Sequence, residues 1–478
     1  MFRPRLLIVL AAIAALLAAC SSPGGENAPP PAAPSAEQTF PSPTQVENPG
    51  PAAPSPLPAL PSVPAETPAP PPPPGERIQP EDIVYLGAFR LPEASGGSSW
   101  EYSGQGLTYD PQGDPAGADD GFPGSLFGFG HDQDLLVSEI SIPAPVRSRN
   151  LEDLPFAETI QPFRDLSGGL FDPQSVDLPR GGLAYLDGPD APRLHFTFGW
   201  HFQEFGDPSH GWSNPDLGNP QAAGLWVFDG YTNYVTDDYL FDIPAEWAET
   251  YAPGYLLASG RAREGPWSGR GPALFAYAPW LDGAPPLAGS TLQAVKPLLL
   301  YGIQQPGEVE IVSDESMQME NYGDADHWWG GAWLTADGKA AVVFAGTKAV
   351  GKSWYGFANG VEWDYECAEH TPPDCPEVPE WPYDDRGYWA ENYQAQIIFY
   401  DPADLGAVAR GEMQSWEPQP YAVLVLDDYL YDPHLRPEDY KRDLLGAIAF
   451  DRQDGLLYVI ERLADEYKSV VHVFRVQP

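Results

Sequence analysis

The chain changes texture near Ile78. From there to the C-terminus, short apolar runs of strand character alternate with turns of Gly, Pro and Asp, and no long segment repeats its apolar positions at helical spacing. The runs sort into recurring classes. One class ends in a small residue followed by a polar or aromatic one: SLFGFGH to His131, RLHFTFGW to Trp200, YLLASGR to Arg261, AVVFAGT to Thr347 and LLYVIER to Arg462. A second class follows each of these, from Leu135, Ala223, Pro272, Ala395 and Val470. A third precedes four of them, at Gly106, Gly181, Gly330 and Gly446, while the member expected before Gly254 is degenerate (ETYAPG). Fourth runs are ETIQPF, VTDDYLF, VKPLLLYG and PYAVLVLDD. Their fifth counterpart is missing where the chain stops after VVHVFRVQP, and a matching run, DIVYLGAFRLP, begins at Asp82 instead.

Five units of four strands, the last completed from the opposite terminus, resemble the β-propeller architecture. The fold class implied is all-β: a five-bladed propeller of four-stranded antiparallel meanders over residues 78–478, or six or seven blades if units have been merged. Closure by the N-terminal strand removes exposed edges. The repeats carry neither Trp-Asp nor kelch signatures. With strands named A to D from the axis outwards, the alternation of direction puts the D-to-A and B-to-C loops on one face of the disc, and the A-to-B and C-to-D loops on the other.

Sorting residues by face concentrates the chemistry. The A-to-B turns are small and acidic. The other face receives His131 and Asp132, then GWHFQEFGDPSHGWSNP (199–215) with Trp200 and His201, then Arg261, Trp267 and Arg270. It also receives Glu101, Tyr102, Arg180, Glu320, Asp326, His327, Trp328 and Arg462. Aromatic walls with convergent Arg, His and carboxylates suit a sugar ring, whose C–H surface stacks while its hydroxyls are hydrogen-bonded. The predicted catalytic set is His131, His201, His327, Arg261, Arg270 and Tyr102. The predicted ligand-binding set is Trp200, Arg180, Trp328, Trp267, Glu101, Glu320, Asp326 and Arg462. His195 and His472 lie inside strands and read as structural, and His210 with Trp212 reads as outer wall.

Three functions fit this face. A polysaccharide lyase needs a cation for a uronate carboxylate, a base for the C5 proton and an acid for the leaving oxygen. A glycoside hydrolase needs paired carboxylates, for which Glu101, Glu320, Asp326, Asp443 and Glu461 are candidates. A non-catalytic glycan- or protein-binding module needs neither. No phosphate-binding glycine loop, EF-hand or HExxH occurs, and GTKAVGKS (346–353) has the wrong spacing for a phosphate loop. No cofactor is implied, although DPQGDPAGADDG from Asp110 is oxygen-rich enough to take calcium.

The N-terminus adds location. Arg3 and Arg5 precede the apolar run Leu6–Ala19, which is too short for a comfortable span and ends in Leu17-Ala-Ala-Cys20. This resembles the lipobox of bacterial lipoproteins. The resemblance implies a signal peptide at 1–19, lipid on Cys20 and anchorage at a bacterial cell surface or periplasmic face. Residues 20–77 are Pro- and Ala-rich and read as an extended, disordered stalk reaching up to roughly 170 Å at about 3.1 Å per residue. Export favours a disulfide between Cys367 and Cys375 over a metal site with His370. The formal charge of −43 argues against nucleic-acid partners. The expected partners are a carbohydrate and, through Cys20, a membrane, with the chain monomeric.

Overall fold

The computed structural model describes residues 76–477 apart from 115–116, 118–120, 190, 365–366 and 368–374. The signal peptide, Cys20, most of the stalk and His370 lie outside the described residues. The strands are β1 (Ile83–Arg90); β2 (Leu107–Asp110), β3 (Ser125–Phe129), β4 (Val137–Ser141) and β5 (Thr159–Arg164); β6 (Arg180–Asp187), β7 (Pro192–Gly199), β8 (His210–Ser213) and β9 (Ala223–Phe228). They continue with β10 (Tyr239–Asp242), β11 (Leu257–Gly260), β12 (Leu274–Tyr277) and β13 (Val295–Leu299); β14 (His327–Ala336), β15 (Lys339–Phe357), β16 (Arg386–Tyr400) and β17 (Ala422–Val425); and β18 (Leu445–Asp451), β19 (Leu456–Asp465) and β20 (Lys468–Val476).

These strands form five mainly antiparallel sheets, the first four of them meanders in chain order. The innermost strands pack in a closed cycle, β2 against β6, β6 against β10, β10 against β14, β14 against β18 and β18 back against β2. The molecule is therefore a five-bladed propeller. Blade 5 is closed by β1, whose Ile83 to Arg90 pair antiparallel with Val476 to Val470 of β20. The two-residue strand Glu76–Arg77 runs parallel to the start of β15. Small residues let the inner strands converge: a Cβ at Gly446 would lie 2.2 Å from the Gly104 carbonyl oxygen, and one at Gly330 2.9 Å from that of Gly446. Between the blades, alternate strand residues build apolar layers, such as Phe127, Phe129, Leu194, Phe196 and Phe198 between blades 1 and 2.

Two strand assignments differ from the sequence reading. The third strand of blade 2 is β8, inside the segment read as a loop, and Ala223–Phe228 is its fourth. VTDDYLF is accordingly the first strand of blade 3, not the last of blade 2. The degenerate ETYAPG lies at the end of α1 (Ala245–Tyr251), which buries Trp247 against Trp333 at 4.6 Å between ring centres. His210 and Trp212 sit in β8 and are buried, not on an outer wall of the loop. Two polar residues, Ser209 and Ser213, bound the short strand, which masked its period-2 signal.

Candidate functional site

At the axis, on the face carrying the D-to-A and B-to-C loops, lies a cavity of about 470 Å³. The starts of inner strands contribute Arg180 and, from β14, His327 and Trp329. The segments leading to inner strands contribute Tyr102, Gln105, Arg442 and Asp443. B-to-C loops add His131, Asp132, Glu264 and Asp385, and β19 adds Arg462. Strand alternation explains the choice at the head of β14: His327 and Trp329 share one side and face the cavity, whereas Trp328 between them is 1 % exposed in the apolar core.

Trp329 is the centre of a cationic cluster. The guanidinium carbons of Arg180 and Arg462 lie 4.6 and 5.0 Å from its ring centre. His327 Nδ1 is 2.7 Å from Asp443 Oδ1, and its Nε2 is 3.3 Å from Arg180 Nη1. A guanidinium only donates, so Nε2 is the acceptor and the ring proton sits on Nδ1, facing Asp443. His131 has the opposite arrangement. The Gln133 backbone N–H donates to its Nδ1 at 3.2 Å, leaving Nε2–H as a donor. Tyr102 packs 5.4 Å from the His131 ring, and burial raises its phenol, which keeps the hydroxyl protonated.

Three of the four carboxylates of the cavity are tied to arginines, and the fourth, Asp443, faces His327. Asp132 accepts from Arg462, and Asp385 from Arg442 at 3.0 Å. Glu264 lies 3.7 Å from both His327 and Arg442. Burial opposes the charge of Glu264, but His327, Arg442, Arg263 and Arg180 together hold its carboxyl well below the usual range. Burial opposes the charge of Asp443 too, but His327 and Arg462 together lower it, whereas burial raises Asp132 despite Arg462. Three non-glycine residues at this cavity, Tyr102, Leu178 and Tyr440, hold left-handed backbone (φ 54°, 46° and 58°), a strain that concentrates at functional sites.

Of the residues singled out from the sequence, Tyr102, His131, Arg180, His327 and Arg462 meet in this cavity. So do Asp132 and Asp443, while the rest of the predicted catalytic and ligand-binding residues lie elsewhere. Arg261 has a fully buried side chain paired with Asp237 (3.1 Å) and Asp238 (3.3 Å), so it braces blade 3 and has no access to a ligand. His201 stacks parallel to Trp267 at 6.2 Å and meets Arg263 at 3.2 Å, beside the cavity residues rather than among them. Burial, and then Arg263, pushes its imidazole down to about 4. Trp200 stacks on Phe171, and Arg270 donates to Gln318. Asp326 is a buried clamp, accepting from Lys348, Gly323 and Ala349, and burial pushes it up to about 6. Glu101 and Glu320 are exposed. Glu264, Arg442, Trp329 and Asp385 were absent from the predicted set. Parity with His327 could have found Trp329, but nothing periodic marks Glu264 within its loop.

The disulfide Cys367–Cys375 is present, with Cα atoms 5.8 Å apart. Among the described residues, no group of three or more His, Cys, Asp or Glu side chains is arranged to hold a metal ion, and part of the oxygen-rich turn after Asp110 lies outside them. Among the described residues, no helix is long and apolar enough to cross a membrane. The chain matches no protein-family model and no curated protein.

Proposed function

We propose that this is a surface lipoprotein whose axial cavity binds an acidic saccharide and cleaves it by β-elimination, as a polysaccharide lyase acting on uronate-containing chains. The observation that carries the reading is the convergence of Arg180 and Arg462 over Trp329, with Arg442 in the same cavity, in a protein of net charge −43. Arg442 and Arg462 are paired with carboxylates, whereas Arg180 has no ion pair among the described residues, and its planar guanidinium fork matches a ligand carboxylate. Trp329 supplies a flat surface for a sugar ring.

The two histidine tautomers divide the proton chemistry. A carboxylate drawing Arg180 to itself uncovers the His327 Nε2 lone pair. That nitrogen then takes the C5 proton while Asp443 stabilises the resulting imidazolium. The C5–H electrons form the C4–C5 double bond, the C4–O bond breaks, and His131 Nε2–H or the Tyr102 hydroxyl protonates the departing oxygen. Hydrolysis is the weaker reading, because it needs a carboxylic acid free to donate, and three of the cavity carboxylates are held by arginines while Asp443 faces His327. The lipobox-like Leu17–Cys20 and the Pro-rich segment after it support presentation on a tether at a bacterial surface.

The test is incubation of the full-length chain with neutral and uronate-containing polysaccharides. An unsaturated, ultraviolet-absorbing product is expected from the uronate polymers, reduced about 100-fold or more by His327→Ala. New reducing ends without that absorbance overturn β-elimination in favour of hydrolysis. Saturable binding without turnover overturns catalysis and leaves a glycan-binding module.

A further inference from the structure

Among the described residues, the exposed Phe, Tyr and Trp side chains are Phe156, Phe202, Trp381, Tyr383, Tyr440 and Tyr467. Phe156 is already covered, with the Arg90 guanidinium 4.3 Å and the Lys468 ammonium 5.6 Å from its ring centre. The others all lie in D-to-A or B-to-C loops, on the face that bears the axial cavity. Single exposed apolar residues are ordinary on a protein surface, but they have no reason to choose one face.

Three of these rings are held outward by tied backbone and connect to the cavity. Tyr440 lines the mouth and is 66 % exposed. It holds left-handed backbone (φ 58°) at the tip of a turn closed by two 3.0 Å hydrogen bonds between Arg436 and Lys441. Phe202 is 68 % exposed and also left-handed (φ 57°). The backbone N–H of His201 beside it donates to the Asp177 carbonyl at 2.8 Å, which ties its loop to the one carrying Leu178, a residue of the cavity. Tyr467 stacks on Tyr102 of the cavity at 5.4 Å, and its carbonyl accepts the Tyr102 N–H at 2.8 Å. Bulky side chains seldom occupy left-handed backbone, and such strain concentrates where it serves a function. In ring order Tyr440 and Tyr467 belong to blade 5 and Phe202 to blade 2, with blade 1 and its His131 between them.

The charge of this rim is the opposite of that of Arg180. Glu438, Glu466 and Glu204 stand exposed within two residues of Tyr440, Tyr467 and Phe202. Lys468, next to Tyr467, is engaged by Glu93 at 3.1 Å. A carboxylate accepts a sugar hydroxyl but repels a second uronate.

We propose that the rim is a track for a heteropolysaccharide in which each uronate is flanked by neutral sugars, and that the chain is cut internally. This track rests on the reading of the axial cavity as a uronate site. One uronate dips into the cavity, a neutral ring stacks on Tyr440 and Tyr467 to one side, and another stacks on Phe202 to the other. A chain end would need rings on one side only. A protein partner would need a continuous apolar patch, whereas these rings stand apart among charged residues.

The test compares the full-length chain on hyaluronan, whose glucuronates alternate with a neutral N-acetylhexosamine, and on polygalacturonate, in which every ring is a uronate. Hyaluronan is expected to be cut with a kcat/KM about tenfold or more higher, giving unsaturated oligomers of mixed length early in the digest. Phe202→Ala and Tyr467→Ala should each raise KM on hyaluronan about fivefold, with a much smaller change on its tetrasaccharide. Glu204→Lys combined with Glu466→Lys should narrow the gap between the two polymers. Faster cleavage of polygalacturonate overturns the neutral flanks and leaves the axial lyase standing. Release of unsaturated disaccharide alone from the start overturns internal cutting. A polymer KM unmoved by Phe202→Ala and Tyr467→Ala overturns the track. Hyaluronan binding that both variants weaken, with no unsaturated product, supports the track and overturns the lyase reading alone. Absence of binding and turnover on both polymers overturns both. Melting curves of each variant separate lost binding from lost folding.

Discussion

Buried histidines carry more of this protein's character than the sequence suggested. His210, read from the sequence as the outer part of a loop, is fully enclosed between Ser209 Oγ at 2.8 Å and Ser259 Oγ at 3.0 Å. Ser259 donates its own proton to the Thr236 carbonyl, so it accepts from His210 Nε2–H, while Nδ1 accepts from Ser209. Burial depresses this imidazole from its ordinary 6.5 to about 3. The unfolded chain therefore binds the proton more readily between those values. Stability supported by His210 is fully present above pH 6.5 and is lost as the pH falls toward 3. At pH 5 the loss is about 2 kcal/mol, using about 1.4 kcal/mol per unit of pKa difference. Denaturant unfolding at pH 7 and pH 5 should show a smaller drop for His210→Gln than for the parent chain; equal drops would place the acid sensitivity elsewhere. None of this was legible at residue scale, because a histidine between a serine and a glycine looks the same in a loop and in a strand. Arg261 misled in the same way: only the fold reveals that Asp237 and Asp238 enclose it.

At the scale of elements, the runs of alternating apolar residues located most strands, and the fixed alternation of strand direction located the face bearing the cavity. What the runs did not show was where β15 and β16 stop. They continue past the blade as a paired arm, from Ser353 opposite Ala390 to Phe357 opposite Arg386, with a register shift after Val350. Gly and polar residues break the apolar pattern along the arm, so the sequence offered only a loop there. Arg442 docks the arm onto the cavity: its guanidinium sits 4.8 Å from the Trp389 ring centre and bonds Asp385. A Cβ at Gly387 would lie 2.3 Å from Arg442 Nη2. Gly387→Ala should therefore displace that guanidinium and leave the core untouched. The expected result is several-fold weaker binding of an anionic saccharide at the axial cavity, with an unchanged melting temperature. An unchanged affinity would mean that Arg442 serves the arm alone.

For the whole molecule, closure was the most legible feature, because a missing strand at one end and a spare one at the other complete each other. β1 places Phe89 and Ala88, both fully buried, over β20, and without it β20 becomes an open edge. Deleting residues 83–90 should abolish cooperative thermal unfolding and promote association. A synthetic peptide spanning 76–92 should restore folding in trans, and a stably folded deletion variant would refute the clasp. The same ring geometry bears on the axial cavity. Beneath it, among the described residues, the inner strands narrow the channel to voids of about 10 and 30 Å³, room for little more than a water or two. The cup is blind. A molecule that enters must back out through the mouth by which it came, so product and incoming substrate compete for one doorway. A long polymer cannot be threaded through the disc, and only a chain end or a bent segment can dip into it.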